Sequence, residues 1–420
     1  MPSPQLVLLL PKDSYRNEDF LTAASRLGVD VIQAKNQCHQ LADYWGLEQM
    51  LALPFDDPPR AARMVREQLG DALPVAVLGV DDQGAEVAAA INQILGLSAN
   101  TPEAVAQLRD KYRFRKLQME CRLPAPQVVP FAGDEDVSAM KLPFGFPCVV
   151  KPSRLSGSRG VIRVDMSDQF VDAVDRVKTI LRHEASVAES SSVLVEQYLP
   201  GSEHALEGLM VGGRLRVLAL FDKPDPMEGP YFEETIYVCP SGLRAEVQSS
   251  FEQQVETVCR HAGVLEGPVH AEARIDGATV TLLEVAPRSI GGLCARMLRH
   301  TLGMTLEEVI LHHAIGQSID PAPASTGATG VMMLPVEAGG VFDRVTGLDA
   351  ARAVPGVESI EITARKGDRV QPLPEASTYL GFIFASANTP DEVTATLRQA
   401  DATLGVVINP LLGVDTTVVS

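Results

Sequence analysis

Cys148-Val149-Val150-Lys151-Pro152-Ser153-Arg154-Leu155-Ser156-Gly157-Ser158-Arg159-Gly160 runs from an apolar strand through a lysine straight into a loop of small residues. Such a loop can hold a polyphosphate. Gly157 and Gly160 let backbone N–H groups come close, Ser156 and Ser158 add donors, and Lys151 supplies charge. Taken alone, the run is equally a surface hairpin closed by a glycine turn. It is not a P-loop, because no Gly-Lys-Ser/Thr closes it.

Two further segments bear on it. Val193-Leu194-Val195-Glu196-Gln197-Tyr198-Leu199-Pro200-Gly201-Ser202-Glu203 is an apolar strand that ends in one carboxylate and reaches a second after a turn. A strand end offers a purine a backbone donor and acceptor, and Glu203 could hold ribose hydroxyls. A solvated strand terminus would read the same way.

The second segment runs from Pro268 to Arg288 and holds Glu272 and Glu284 on either side of an Asp276-Gly277 turn. A two-residue loop there pairs Glu272 with Thr281 and turns Glu284 to the opposite face. A three-residue loop with Gly277 left-handed pairs Glu272 with Val280, and Glu284 then shares its face. On one face the two acids could hold Mg²⁺. Glu284 lies in an otherwise apolar strand and needs a partner; the metal and an ion pair to Arg288 both answer that need.

Around this core the chain alternates by class. Leu6 to Leu10 form an apolar run, Asp19 to Leu27 have helical spacing, Gly28 stops that helix and Val29 to Ile32 start a strand. This is a β-α-β unit of a parallel sheet. A helix from about Pro59 to Leu69, a strand at Val75–Leu78 and a helix from Glu86 to Leu95 continue it. Thr101-Pro102 caps the next helix. Prolines between Leu123 and Pro152 mark strands and turns, and Gln169 to about His183 is helical. Residues 205–283 alternate in a mostly antiparallel way. Pro321 to Gly327 has linker composition, and one clear helix follows at Thr389–Asp401.

The 420 residues are 45% apolar and 21% charged, an ordinary globular balance. A net charge of −18 argues against a nucleic-acid surface, which needs clustered Lys and Arg. No apolar stretch reaches the roughly 18–20 residues that span a bilayer, and the first residues lack the basic leader of a signal peptide. The six cysteines show no C-x-x-C spacing, so reduced thiols in a cytoplasmic protein are expected.

With these landmarks in this order, residues 100 to 320 resemble an ATP-grasp ligase, and within that superfamily the carboxylate–amine ligases that make dipeptides. The resemblance implies mixed α/β and α+β architecture: a Rossmann-like domain at 1–105, a two-lobed ATP-grasp domain at 106–320 (small lid lobe about 125–195, large lobe about 196–320), and a capping subdomain at 321–420. It places the phosphate-contacting lysines at Lys111 and Lys151, the lid at Ser156 to Gly160, the adenine hinge at Glu196 to Leu199 and the ribose carboxylate at Glu203. The metal acids fall on Glu272 and Glu284, and the arginine that stabilises an acyl phosphate falls on Arg288. Gly291-Gly292 would meet a substrate carboxylate. His270, on the strand face of Glu272, is either a satisfied core histidine or an orienter of the amine.

One departure stands out: Glu284-Val285-Ala286-Pro287-Arg288 carries Ala286 where the family has Asn, so a second metal ion would lack one ligand. The implied cofactors are ATP and Mg²⁺ or Mn²⁺. The implied partners are a small carboxylate and an amine, with no nucleic acid, no membrane, and room for a homodimer. A biotin carboxylase-like or formyl-type enzyme, or a nucleotide-binding regulator without turnover, stays open beside the ligase.

Overall fold

A computed structural model describes residues 3–12, 14–37, 50–131, 135, 137, 140–184, 192–318 and 327–411. Cys38 and the linker from Pro321 to Thr326 lie outside them. Three structural blocks surround one cavity.

The first is a parallel sheet of four strands in the order Met50–Ala52, Asp30–Lys35, Gln5–Leu9, Ala76–Gly79. Leu6 to Leu10 are fully buried, as a continuous apolar run in a covered parallel strand should be. Helices Asn17–Leu27, Pro58–Leu69 and Asp82–Leu95 connect or flank these strands. The last begins earlier than its alanine run suggests, because the Asp81 side chain accepts the N–H of Gly84 and caps it.

The second block is a four-stranded antiparallel sheet, ordered Val128–Phe131, Val193–Gln197, Cys148–Pro152, Ile162–Val164. Helix Phe170–Arg182 buries Phe170, Val174, Val177 and Leu181 against it. The loop Ser153–Val161 leaves one edge of this small lobe.

The third block is an eight-stranded antiparallel sheet. Its order is Thr279–Ala286, Gly267–Asp276, Ser202–Val211, Arg214–Asp222, Ile236–Cys239, Ala328–Leu334, Gly381–Ala387, Val357–Ile362. The strands on either side of residue 320 therefore share one sheet. Residues 205–283 are not only strands, as their alternation suggests: an 18-residue helix, Ala245–Ala262, interrupts them. Val247, Phe251, Val255, Val258 and Ala262 recur at helical spacing and are buried.

That helix covers one face of the sheet, packing on Leu206, Met210, Ala271, Ala273 and Leu282. Side chains alternate along strands, so the residues between these point the other way. They include Glu203, Glu207, His270, Glu272 and Arg274, an unusually charged set for a sheet interior. Ala205, Leu209 and Phe221 on this second face pack with Leu6, Leu8 and Phe20 of the parallel block. The cavity lies on this charged face. Among the described residues, no helix is long and apolar enough to cross a membrane.

Candidate active site

Strands Gly267–Asp276 and Thr279–Ala286 pair Asp276 with Thr279, so the loop is Gly277-Ala278, two residues long and one position beyond the expected turn. Gly277 adopts a left-handed φ of 62°, which a side chain would resist. A regular ladder from this loop would set Glu272 against Leu283. The register instead slips between Glu272 and Ala273, and Glu272 pairs with Glu284. Leu283 is the extra residue of a β-bulge, and the two acids share a face because of it.

Both acids line a cavity of about 330 Å³, together with Lys111, Lys151, Arg288 and His270. Ser156, Gly157, Ser158, Glu196, Leu199, Glu203, Gly291 and Gly292 also reach it. Within the expected lid span Arg159 stays outside this lining, and so does Gly160. Its N–H donates to the Pro374 carbonyl at 2.9 Å, which ties the lid to the C-terminal segment and leaves that amide engaged. Gly157 and Ser158 both hold left-handed φ values, 63° and 55°, the second uncommon for a residue with a side chain.

Charges in the cavity are paired. Lys111 Nζ lies 2.9 Å from Glu284 and donates to the Leu155 carbonyl at 2.7 Å. Glu284 is also 3.8 Å from Arg288, so the ion pair expected there is present in a loose form. Arg288 donates to Asp82 at 3.1 Å and to the Ser289 carbonyl at 3.0 Å. Lys151 is not a free strand-end lysine. It is buried, 2.6 Å from Glu196, whose carboxylate also receives Arg115. Burial pulls the Lys151 ammonium down to about 8 although Glu196 opposes this. Burial alone would raise Glu196, but Arg115 and Lys151 hold it at about 2.

Lys223 was not singled out by the sequence, and it gathers the densest cluster. Its Nζ lies 2.7 Å from Glu203, 2.7 Å from Glu234 and 3.0 Å from Glu272. Burial opposes the charge on Lys223, yet the three carboxylates keep it well above the usual lysine range. Burial raises Glu234 to about 7 in spite of Lys223. The three acids each bring an oxygen within 4.8 Å of the others. The Lys223 ammonium already supplies the positive charge among these three carboxylates that a metal ion would otherwise provide. Glu203, expected on a ribose, is thus engaged by Lys223 and by Arg274 at 3.4 Å.

His270 faces a carboxylate with each ring nitrogen: Glu207 at 3.1 Å from Nδ1 and Glu272 at 3.5 Å from Nε2. It is therefore a satisfied histidine that still reaches the cavity wall. Burial would lower its pKa, but the two acids raise it to about 9.

Comparison with known proteins is consistent with this geometry. A profile of the ATP-grasp domain matches residues 144–297, and one of the L-amino acid ligase C-terminal domain 2 matches residues 332–409. The chain carries an ATP-grasp domain followed by an L-amino acid ligase C-terminal domain. A solved relative of this ATP-grasp chain is the L-amino acid ligase of Bacillus licheniformis, with a TM-score of 0.84 at 25% identity over 97% of this chain and 100% of that one. The D-alanine–D-alanine ligase of Cupriavidus taiwanensis is 26% identical over 52% of this chain and 67% of its own length. Mouse carnosine synthase 1 is 27% identical over 48% of this chain and 26% of its own length. The chain thus spans from about a quarter to two thirds of the curated relatives it matches.

Proposed function

We propose that this ATP-grasp protein joins the carboxylate of an amino acid to an amine, forming ADP and phosphate by way of an acyl phosphate. The observation that carries the reading is the Glu272–Glu284 pair, set on one face inside a cavity that Lys111, Lys151 and Arg288 also line. The relatives named as ligases or synthases of amino-acid products support the choice of substrate class.

A carboxylate is a poor electrophile, and transfer of the terminal phosphoryl group of ATP to it creates a leaving group. Lys111, Lys151 and Arg288 neutralise charge on the phosphates, which is positioning and electrostatics rather than covalent chemistry. Mg²⁺ held by Glu272 and Glu284 would add charge neutralisation at the same place. The strand end Glu196 to Leu199 takes the purine, Glu203 the ribose, and Ser156 to Ser158 close over the phosphates. The amine then attacks the acyl carbon and phosphate leaves. Gly291 and Gly292 meet the amino-acid carboxylate, and His270, with a carboxylate at each ring nitrogen, orients the amine only through Glu272, which can accept an amine N–H. Water must be kept out, or the acyl phosphate hydrolyses.

The test is ADP release measured across pairs of amino acids, with products identified by mass. Amino-acid-dependent ADP formation with a new amide product supports the reading. ADP formation that responds to bicarbonate and to no amino acid would replace it with a carboxylase. Tight ATP binding with no turnover on any pair would replace it with a nucleotide-binding regulator.

A further inference from the structure

The chain from Arg288 to Gly292 enters the cavity without regular secondary structure to hold it. Two buried charges of opposite sign grip its middle residue. Glu207, fully buried on strand Ser202–Val211, accepts the Ile290 N–H at 3.0 Å. The same Glu207 oxygen receives His270. From the other side Arg16, 3% exposed, donates to the Ile290 carbonyl at 2.7 Å and to the Ser289 hydroxyl. Its second terminal nitrogen is held by buried Glu307 at 2.5 Å.

Arg16 lies just before helix Asn17–Leu27 of the parallel block, Glu207 lies on the large sheet, and Glu307 lies on helix Leu306–Ala314. Three parts of the fold therefore fix one residue of the loop. Such an arrangement is a weak source of stability, since well-packed apolar side chains would serve as well or better in place of buried ions. What the charges do supply is direction: each hydrogen bond fixes one peptide unit, N–H on one side and C=O on the other.

We propose that Glu207 and Arg16 are positioning residues that set the Ile290 peptide units, and with them the substrate loop Ser289–Gly292, for the amino acid rather than for the nucleotide. This rests on the ligase reading given above.

The experiment compares the parent with Glu207→Gln, Arg16→Ala and Arg16→Lys. ATP binding is measured by calorimetry, steady-state KM and kcat with an accepted amino-acid pair, and backbone hydrogen exchange by mass spectrometry. Arg16→Ala should raise the amino-acid KM roughly tenfold to a hundredfold, the scale of losing one hydrogen bond to a charged group, and Glu207→Gln, which keeps an acceptor for the Ile290 N–H but loses the charge, should raise it less, with ATP affinity unchanged in both. In Glu207→Gln exchange should quicken in the peptide covering 288–292 and nowhere else, while Arg16→Ala, which leaves buried Glu307 without its partner, should add helix Leu306–Ala314. Arg16→Lys should recover part of the KM, because an ammonium can reach one of the two acceptors. Equal losses of ATP and amino-acid affinity, with exchange rising throughout the molecule, would make the two residues merely structural and overturn the proposal. So would unchanged KM with unchanged exchange. If the parent turns over no amino-acid pair, the ligase reading fails, and the exchange result alone decides the clamp: acceleration confined to 288–292 in Glu207→Gln sustains it, and none removes it.

Discussion

Glu272 and Glu284 stand opposite one another across two antiparallel strands because Leu283 is bulged out of the ladder. The turn is even-numbered and would by itself have separated them. A bulge beside two acids re-aims one side chain without altering the hairpin end, a use common near active sites.

Removing either charge should therefore damage phosphoryl transfer more than folding. Glu284→Gln is expected to lower kcat by about 10²–10³, the scale of losing one electrostatic stabiliser, and to raise the Mg²⁺ concentration needed for half activity. Glu272→Gln should do the same more mildly. Ala286→Asn adds an amide oxygen two residues beyond Glu284 and should tighten metal binding. Steady-state rates across a Mg²⁺ titration check all three, and a Glu284→Gln enzyme with parental Mg²⁺ dependence would remove the metal assignment.

The strand runs, the cap at Thr101 and the Lys151 loop are legible because each is a local pattern with a fixed spacing. Helix Ala245–Ala262 is masked in the sequence although its buried positions repeat at 3.6-residue spacing, because polar residues such as Gln248, Ser249, Ser250, Glu252 and Gln253 surround them. Arg115, Lys223 and Arg16 were not legible. A buried cation is identified by the carboxylates it meets, and Arg115 lies 81 residues from Glu196 while Arg16 lies 291 residues from Glu307. The alternation of Glu203, Glu207, His270, Glu272 and Arg274 with apolar neighbours was the one available signal of a charged inner face.

Arg115 provides a test of stability. It is fully buried, donates to both Glu196 oxygens and to the carbonyls of Leu282 and Leu283, and so braces the bulged strand from beneath. Arg115→Ala should cost about 3–5 kcal/mol, because Glu196 keeps a buried charge with one partner fewer. Lys151→Ala leaves Glu196 its Arg115 contacts, so its loss of stability should be smaller while ATP affinity falls sharply. Denaturant unfolding and ATP calorimetry on the two variants separate the roles.

Asp81 gives a pH-dependent prediction. Burial raises its carboxyl to about 6, against the N–H of Gly84 and the charges of Arg109 and Arg288, which act the other way. The folded protein then holds a proton that the unfolded chain releases, so stability falls as pH rises from the ordinary carboxylate range through about 6. Asp81→Asn keeps an acceptor for Gly84 and removes the titration. The variant should be more stable than the parent at pH 7, by about 1–3 kcal/mol, and equal to it near pH 4. Chemical unfolding at both values checks it; a constant difference would mean that Asp81 ionises freely in the folded state.

The lid offers the last test, and it concerns the fate of the acyl phosphate. Glu375 forms a two-pronged pair with Arg176 at 2.7 and 3.0 Å, while its carbonyl accepts Arg159 at 2.7 Å and the neighbouring Pro374 carbonyl accepts Gly160. The Arg176–Glu375 side chains are partly exposed, so their pair should contribute no more than about 1 kcal/mol, and Glu375→Ala should barely change unfolding. The two backbone contacts remain, and the loop should still close. It should, however, open more often, and water that enters can hydrolyse the activated acid before the amine reaches it. The expected outcome is a rise in phosphate released per amide formed, with ATP affinity near that of the parent. High salt should produce the same uncoupling in the parent, because it screens the exposed pair. An unchanged product ratio in both experiments would mean that the backbone contacts at Pro374 and Glu375 hold the lid without help from the side chains.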